Sequence, residues 1–252
     1  MNGARKTLIA GNWKMNCLRA DGVALAKDIV EGSKGLNCEI LICPPYTLLH
    51  TIGDVVKDSN VMLGAQDSDI ADFGAHTGDI CVAMLKDAGC SHVIVGHSER
   101  RTDHGESDAF VQAKAEVVHA AGMVAVICIG ETDVERDQGL TMAVMSTQLD
   151  ASVPKGATAE NTVIAYEPVW AIGTGKTATP EDAEDVHDHI RTYLTTKIGS
   201  AIAGNMRILY GGSMKPGNAV ELLAQADIDG GLIGGAALKA EDFLGIARAG
   251  QE

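Results

Sequence analysis

Short apolar runs rich in β-branched residues recur along the whole chain, and most are followed by a stretch with helical periodicity. The runs are continuous rather than alternating, which is typical of parallel strands with both faces covered. Strands are predicted at residues 7–11, 39–43, 61–65, 92–96, 123–129, 162–167, 207–211 and 231–234. Helices are predicted between them at residues 20–31, 80–88, 107–121, 132–149, 181–196 and 217–226.

This alternation of strand and helix predicts an α/β fold built on a parallel sheet. Eight βα units in 252 residues match the size and count of a closed (β/α)8 barrel with eight parallel strands. No linker-like composition or block of charge divides the chain, so residues 1–252 are predicted to form a single domain. An open doubly wound sheet is the alternative, because periodicity does not show whether the sheet closes.

The chain is strongly acidic. Its 20 lysines and arginines against 34 aspartates and glutamates give a formal net charge of −14, which opposes binding to nucleic acid or to an anionic membrane. Neither partner is expected. An anionic substrate would need a local positive field to enter its site.

Six cysteines are scattered without CxxC spacing, which favours reduced thiols and a cytoplasmic protein. The apolar stretch near the N-terminus is too short for a signal peptide, and no apolar run is long enough to span a bilayer. A soluble protein is therefore expected.

Polar residues and glycines follow the predicted strands at their carboxyl ends, where both barrels and open α/β sheets hold ligands. The candidate site residues there are Asn12, Lys14, His97, Glu167, Ser213, Gly234 and Gly235. They combine an amide, an ammonium, an imidazole, a carboxylate and a hydroxyl with glycine-rich turns. This set predicts a catalytic site.

Glu167 is the candidate general base. It follows an apolar strand and is flanked by Tyr166, Pro168 and Trp170, so we expect burial to raise its pKa toward neutrality. The alternative is a carboxylate satisfied by a neighbouring lysine or arginine.

His97 and Lys14 are the candidate donors to a substrate. His97 opens a helix-like turn, and the positive end of a helix disfavours imidazolium, so we expect a neutral ring that donates a hydrogen bond. A histidine that only caps the turn is the alternative. Lys14 is the cation of the segment after strand 1, and its alternative is an ordinary solvated lysine.

Two glycine-rich turns after the last two strands predict a phosphate site. Gly234 and Gly235 precede a helix-forming run and would present free backbone N–H groups, while Ser213 follows two glycines in the preceding unit. Tight turns that need a positive φ are the alternative for either one alone.

The loop 168–176 is predicted to be a lid over Glu167. Pro168 fixes one end, Trp170 supplies a large apolar contact, and the backbone N–H groups near Gly173 are free to reach a ligand oxygen. The acid and the loop that would exclude water from it are thus consecutive in the chain.

Other kinds of site match poorly. The run 175–177 imitates the end of a phosphate-binding Walker loop, but Trp170 stands where its first glycine belongs. The GxGxxA pattern at 173–178 lies beyond its strand and lacks the acidic residue of a dinucleotide site. His187 and His189 do not share a helix face, so no metal site is expected.

Five of these segments together resemble the triosephosphate isomerase family. The resemblance runs in order through nearly the whole chain, and its segments are residues 12–16, 96–101, 166–176, 210–213 and 231–236. It implies a TIM barrel that interconverts dihydroxyacetone phosphate and D-glyceraldehyde 3-phosphate in glycolysis and gluconeogenesis. The reaction would pass through an enediolate and use no cofactor.

The resemblance also implies a role for each candidate residue. Glu167 would move the proton between two carbons, and neutral His97 would polarise the carbonyl. Lys14 and Asn12 would bind and orient the substrate. The phosphate would be held by Gly173, Ser213, Gly234 and Gly235. The family is itself a standard example of such a base, neutral imidazole and closing lid, so these roles rest on the resemblance.

A homodimer is implied as well, formed through the loop from Phe73 to Gly78, with Thr77 approaching the region around the partner's Lys14. Three positions depart from the family's usual pattern: Ala237 stands where serine is common, His76 where an aromatic residue is common and Asp67 where asparagine is frequent. Ala237 would remove one hydroxyl and leave the backbone cradle. His76 and Asp67 would affect the subunit contact more than the chemistry.

Two further functions remain open at this point. A barrel acting on a different sugar phosphate would need more pocket space than a long lid leaves. An inactive barrel kept as a binding or scaffold protein need not retain Glu167 and His97 together.

Overall fold

The computed structural model describes residues 5–171 and 178–250. Eight strands follow one another around the sheet, each paired in parallel with the next, and the last pairs with the first. They are β1 (Leu8–Asn12), β2 (Glu39–Cys43), β3 (Val61–Ala65), β4 (His92–Val95), β5 (Val124–Ile129), β6 (Thr162–Tyr166), β7 (Arg207–Tyr210) and β8 (Gly230–Ile233).

The sheet closes into a barrel, which confirms the predicted fold class and excludes the open sheet. Closure brings β8 against β1, with Gly231 in register with Ile9. A Cβ on Gly230 would lie only 1.9 Å from the carbonyl oxygen of Leu8, and Gly230 has a φ of 145°, so glycine is required at this seam. The predicted strands agree with the observed ones to within one residue at each end.

Helices cover the outside of the barrel. They are α1 (Arg19–Gly32), α2 (Leu49–Val56), α3 (Val82–Asp87), α4 (Ser98–His104), α5 (Asp108–Ala120), α6 (Asp133–Asp137), α7 (Thr141–Ser152), α8 (Pro180–Ile198), α9 (Ser200–Ala203), α10 (Pro216–Leu223) and α11 (Ala240–Ala249). The single helix predicted at 132–149 is wrong: Gly139 has a φ of 70° and separates α6 from α7. The helices α2 and α11 were not predicted, nor was the short α9.

Local capping explains where several helices begin. Thr179 accepts from the N–H of Asp182, whose side chain caps in return, and Pro180 occupies the first turn of α8. Thr132 and Glu135 form the same reciprocal cap at α6. Among the described residues, no helix is both long and apolar enough to cross a membrane.

The core consists of two layers separated by the strands. Alternate strand residues such as Leu8 and Ala10 fill the barrel interior, while Ile9 and its equivalents pack outward against the helices. Because both faces of each strand are buried, the strands read as continuous apolar runs. The polar side chains of interest are left to the carboxyl rim.

Candidate active site

A cavity of about 670 Å³ opens at the carboxyl ends of the strands. It is lined by seven of the eight predicted site residues, namely Asn12, Lys14, His97, Glu167, Ser213, Gly234 and Gly235. Segments that are distant in the sequence therefore converge on one rim. Gly173, together with the larger part of the predicted lid, lies outside the described residues.

Asn12 and Lys14 are positioned by the end of β1. Asn12 is the last residue of the strand, and its Oδ1 accepts the backbone N–H of Lys14 at 3.0 Å. Lys14 has a φ of 51°, which is uncommon outside glycine. Gln66, which follows β3, donates to the carbonyl of Lys14 at 2.9 Å and so helps to hold this turn.

The Lys14 ammonium points across the rim to α4. Its Nζ lies 2.5 Å from Oε1 of Glu99, and the Lys14 side chain is 27% exposed. Lys14 therefore lies against a defined partner on the cavity wall rather than free in solvent. Glu99 was not among the predicted site residues.

His97 is placed by a sharp turn after β4. Gly96 has a φ of 67°, and a Cβ there would lie 2.6 Å from Cγ2 of Val111, so only glycine fits before the histidine. The imidazole is buried, and its Nδ1 accepts the backbone N–H of Glu99 at 3.2 Å. This contact is the cap that was considered as the alternative role of His97, and it leaves Nε2 as the protonated nitrogen of a neutral ring.

Glu167 follows β6 and is 2% exposed. Its Oε2 accepts the backbone N–H of Ser98 at 2.9 Å, and its Oε1 lies 2.9 Å from Nε2 of His97. The backbone of Glu167 passes close to Gly130: a Cβ on Gly130 would lie 1.8 Å from the Glu167 carbonyl oxygen. The carboxylate and the imidazole therefore contact each other directly.

This contact shifts the pKa of both groups. Burial alone raises the pKa of Glu167, but the His97 ring, the Ser98 N–H and the Lys14 ammonium together hold it below its ordinary value. Burial lowers the pKa of the His97 ring, but the facing carboxylate raises it above its ordinary value. The prediction of a raised Glu167 pKa was wrong because it left out the facing imidazole, whereas the neutral His97 ring stays a prediction that the Glu99 N–H contact to Nδ1 favours.

The glycine-rich turns also line the cavity. A Cβ on Gly234 would lie 3.5 Å from Cε of Lys14, so this turn and the ammonium are neighbours. The helix expected after Gly235 is a short 3-10 helix, Gly235–Leu238, and the α-helix begins only at Ala240. The Ser213 carbonyl accepts from Nδ2 of Asn218 at 3.1 Å, which ties its loop to α10.

The structure locates the three unusual positions. Ala237 is fully buried, and its Cβ lies 3.0 Å from the place where a Cβ on Gly11 would stand. The Ala237 side chain therefore packs against β1 and does not line the cavity. His76 is exposed. Asp67 is buried and lies 2.7 Å from Nζ of Lys114, within an ion cluster that also includes Arg100.

Glu131 is a buried carboxylate that binds residues on either side of Glu167, and the sequence predictions missed it. It is fully buried just beyond β5, and its Oε1 accepts from Nε1 of Trp170 at 2.9 Å and from the hydroxyl of Tyr166 at 3.1 Å. It thereby holds the start of the segment that follows Glu167. Its place after a strand end is the signal that could have identified it.

Known proteins of one family are similar to this chain over nearly its whole length. The model of the triosephosphate isomerase family matches residues 7–250. The chain belongs to the triosephosphate isomerase family. It is 53% identical to the triosephosphate isomerase of Rhizobium meliloti (strain 1021), over 98% of this chain and 97% of that protein. It is 54% identical to that of Xanthobacter flavus, over 99% of each chain.

A solved structure agrees with these relatives. The crystal structure of triosephosphate isomerase from Bartonella henselae is 47% identical and superimposes with a TM-score of 0.91, covering 98% of this chain and 100% of that one. The chain is therefore an isomerase of the triosephosphate isomerase family. The family resemblance and the enzyme class predicted from the five sequence segments are confirmed.

Proposed function

We propose that Glu167 is the base and His97 the hydrogen-bond donor in the interconversion of dihydroxyacetone phosphate and D-glyceraldehyde 3-phosphate, which the chain catalyses as a member of the triosephosphate isomerase family. The observation that carries this assignment is the direct contact of the two groups in the cavity, with His97 Nε2 2.9 Å from Glu167 Oε1. A substrate that enters between them meets a proton acceptor on one side and a donor on the other.

The reaction needs both groups at once. Removing a proton from the carbon beside a carbonyl places negative charge on oxygen, so the base must work opposite a donor that stabilises this enediolate. Glu167 takes the proton from one carbon and returns it to the neighbouring carbon. The Nε2–H of His97 then donates to the substrate oxygens in place of its present bond to the carboxylate.

Lys14 and Asn12 complete the polar side of the site. The Lys14 ammonium supplies positive charge to the dianionic substrate, exchanging Glu99 for a substrate oxygen, and Asn12 fixes the Lys14 backbone. The phosphate is held by backbone N–H groups and one hydroxyl from Gly173, Ser213, Gly234 and Gly235. The phosphate thus supplies binding energy away from the reacting carbons.

Electrostatics and positioning carry much of the acceleration. One positioned base contributes about 10²- to 10⁴-fold, whereas enzymes accelerate reactions by at least about 10⁶-fold. The buried setting of Glu167 and His97 strengthens their interactions with the substrate. A closed lid over 168–176 would strengthen them further and would protect the enediolate from loss of phosphate.

The assembly we propose is a homodimer of single-domain chains in the cytoplasm. Large apolar side chains are exposed on the loops after β1 and β3, with Met15 at 95%, Leu18 at 78% and Phe73 at 70%. Large apolar side chains exposed to this extent are more typical of a subunit interface than of a free surface. Thr77 then approaches the region around the partner's Lys14, and a fully active monomer in sedimentation would contradict this arrangement.

A coupled assay tests the proposed reaction. The purified chain is supplied with D-glyceraldehyde 3-phosphate, and dihydroxyacetone phosphate is detected through its reduction by a coupling dehydrogenase. We expect turnover without added metal or cofactor, lost in Glu167→Gln. Turnover of other sugar phosphates but not of the triose phosphates would favour a different substrate, and no turnover of any would favour a binding protein.

A further inference from the structure

Lys215 and Lys239 are two exposed lysines on the wall of the active-site cavity. Lys215 stands at the start of α10 and Lys239 at the start of α11, on the side of the glycine-rich turns. Neither side chain forms an ion pair with any of residues 5–171 or 178–250. Their charges therefore face the solvent at the mouth of the site.

The balance of charge around the cavity differs from that of the whole chain. Among the residues that the structure describes, three lysines and three carboxylates line it, namely Lys14, Lys215, Lys239, Glu99, Glu167 and Asp242. The chain as a whole carries a formal net charge of −14. The cavity is thus close to neutral in a protein that repels anions elsewhere, and removal of either exposed lysine would make its wall negative.

Lys14 is poorly suited to attract a substrate from a distance. Its ammonium lies 2.5 Å from Glu99, so beyond a few ångströms the two charges largely cancel. Lys215 and Lys239 have no such neutralising partner among the described residues. They are the charges that an approaching dianion meets first.

Both lysines are fixed relative to the predicted phosphate site. The backbone N–H of Lys215 donates to Oδ1 of Asn218 at 2.8 Å, and the same Asn218 side chain holds the carbonyl of Ser213. The carbonyl of Lys239 accepts from the N–H of Phe243 at 3.0 Å at the start of α11. Flexible side chains therefore extend from firmly held backbone beside the phosphate cradle.

We propose that Lys215 and Lys239 capture the phosphorylated substrate electrostatically, drawing its dianion toward the glycine-rich turns without touching the reacting carbons. This inference rests on the function proposed above. Exposed charges act through a field that salt screens, so the effect belongs to substrate capture, and not to the proton transfers. The turnover number is then independent of both lysines.

The effect should be measurable at low ionic strength. Loss of one such charge beside a dianion lowers kcat/KM by about three- to tenfold at 0.01 M salt, where the screening length is about 30 Å. The loss shrinks toward nothing near 1 M salt, where screening acts within about 3 Å. Loss of both lysines has a larger effect than either one.

The test compares Lys215→Gln, Lys239→Gln and the double variant with Lys6→Gln. Lys6 is exposed at the amino end of β1, on the opposite side of the barrel, and its replacement changes the net charge equally. With D-glyceraldehyde 3-phosphate, we expect kcat/KM to fall only in the cavity variants, with kcat unchanged and a salt dependence weaker than that of the parent. An equal fall in Lys6→Gln, a loss that persists at high salt, or a lowered kcat would overturn the proposal.

Binding of inorganic phosphate separates this inference from the proposed reaction. Isothermal titration calorimetry at low salt should show weaker phosphate affinity in the two cavity variants than in the parent and Lys6→Gln. A parent that binds phosphate in this way but does not turn over triose phosphate would refute the proposed reaction alone. Equal phosphate affinity in all variants would refute electrostatic capture, whatever the activity.

Discussion

Nε2 of His97 lies 2.9 Å from Oε1 of Glu167, although the two residues are separated by seventy positions in the chain and stand after different strands. The contact couples their protonation. It holds the pKa of Glu167 below its ordinary value despite complete burial, so the base stays ionised in mildly acidic solution.

Replacement of His97 by glutamine should raise the pKa of Glu167. Burial then opposes ionisation with less compensation, because the favourable contacts of the carboxylate with the Ser98 N–H and hydroxyl and with the Lys14 ammonium remain but the imidazole is lost. The measurement is the ¹³C carboxyl titration of labelled glutamate, with the Glu167 signal assigned by its absence in Glu167→Gln. This probe avoids the substrate's own phosphate, which titrates in a nearby range. An unchanged or lower pKa in His97→Gln would contradict the coupling.

Shortening the base should affect catalysis more than binding. Glu167→Asp withdraws the carboxylate by about one methylene, and a misplacement of about 1 Å costs on the order of 10²-fold in rate. We expect kcat to fall by about that factor while KM changes little. Equal rates for the variant and the parent would remove Glu167 from the mechanism.

Gly211 tests how closely the site is packed. A Cβ there would lie 2.9 Å from Cγ of Glu167 and 2.9 Å from the carbonyl oxygen of Tyr166. Gly211→Ala should therefore displace the base and lower kcat by about tenfold or more. The matched control is Gly217→Ala, at an exposed position of α10 where a Cβ meets nothing within 4 Å. Similar kinetics for the two variants would show that Glu167 is not held by this contact.

Buried His187 should make stability depend on pH. Burial lowers its pKa to about 4 from an ordinary value of 6.5. Between these values the unfolded chain binds a proton that the folded chain does not, so the free energy of unfolding falls as the pH drops. The expected slope is at most about 1.4 kcal/mol per pH unit.

Denaturant titrations between pH 7 and 5 measure this slope. His187→Gln should flatten it, whereas the same change at exposed His50 should leave it as in the parent. A parent-like slope in His187→Gln would mean that other groups set the acid sensitivity. His92, whose pKa burial also lowers to about 4, is the next candidate.

The sequence predicted the barrel well because its strands are buried on both faces and bounded by glycines and polar residues. The predicted fold also places Asn12, His97 and Glu167 at one rim, because the carboxyl ends of all parallel strands lie on the same side of the barrel. Closure itself depends on the pairing of β8 with β1, a contact between distant residues that periodicity does not encode. The break at Gly139 was missed because its left-handed turn lies inside a run of helix-forming residues.

The partners within the site were beyond sequence reasoning for a similar reason. Lys14 forms an ion pair with Glu99, which follows a different strand, and Glu131 accepts a hydrogen bond from Trp170. The directions of these side chains depend on the width of the barrel. The directions in which the pKa values of His97 and Glu167 are shifted also result from a side-chain contact of this kind. Knowledge of which residues share a rim therefore does not give their pairing.

Hydrogen exchange into the substrate tests the central claim most directly. In D₂O, the parent enzyme should incorporate deuterium at the hydroxymethyl carbon of dihydroxyacetone phosphate, seen by ¹H NMR, because Glu167 removes a proton there and exchanges it with solvent. Glu167→Gln, which keeps the shape but cannot accept the proton, should lose this exchange almost entirely. Exchange in Glu167→Gln at the rate of the parent would contradict the account.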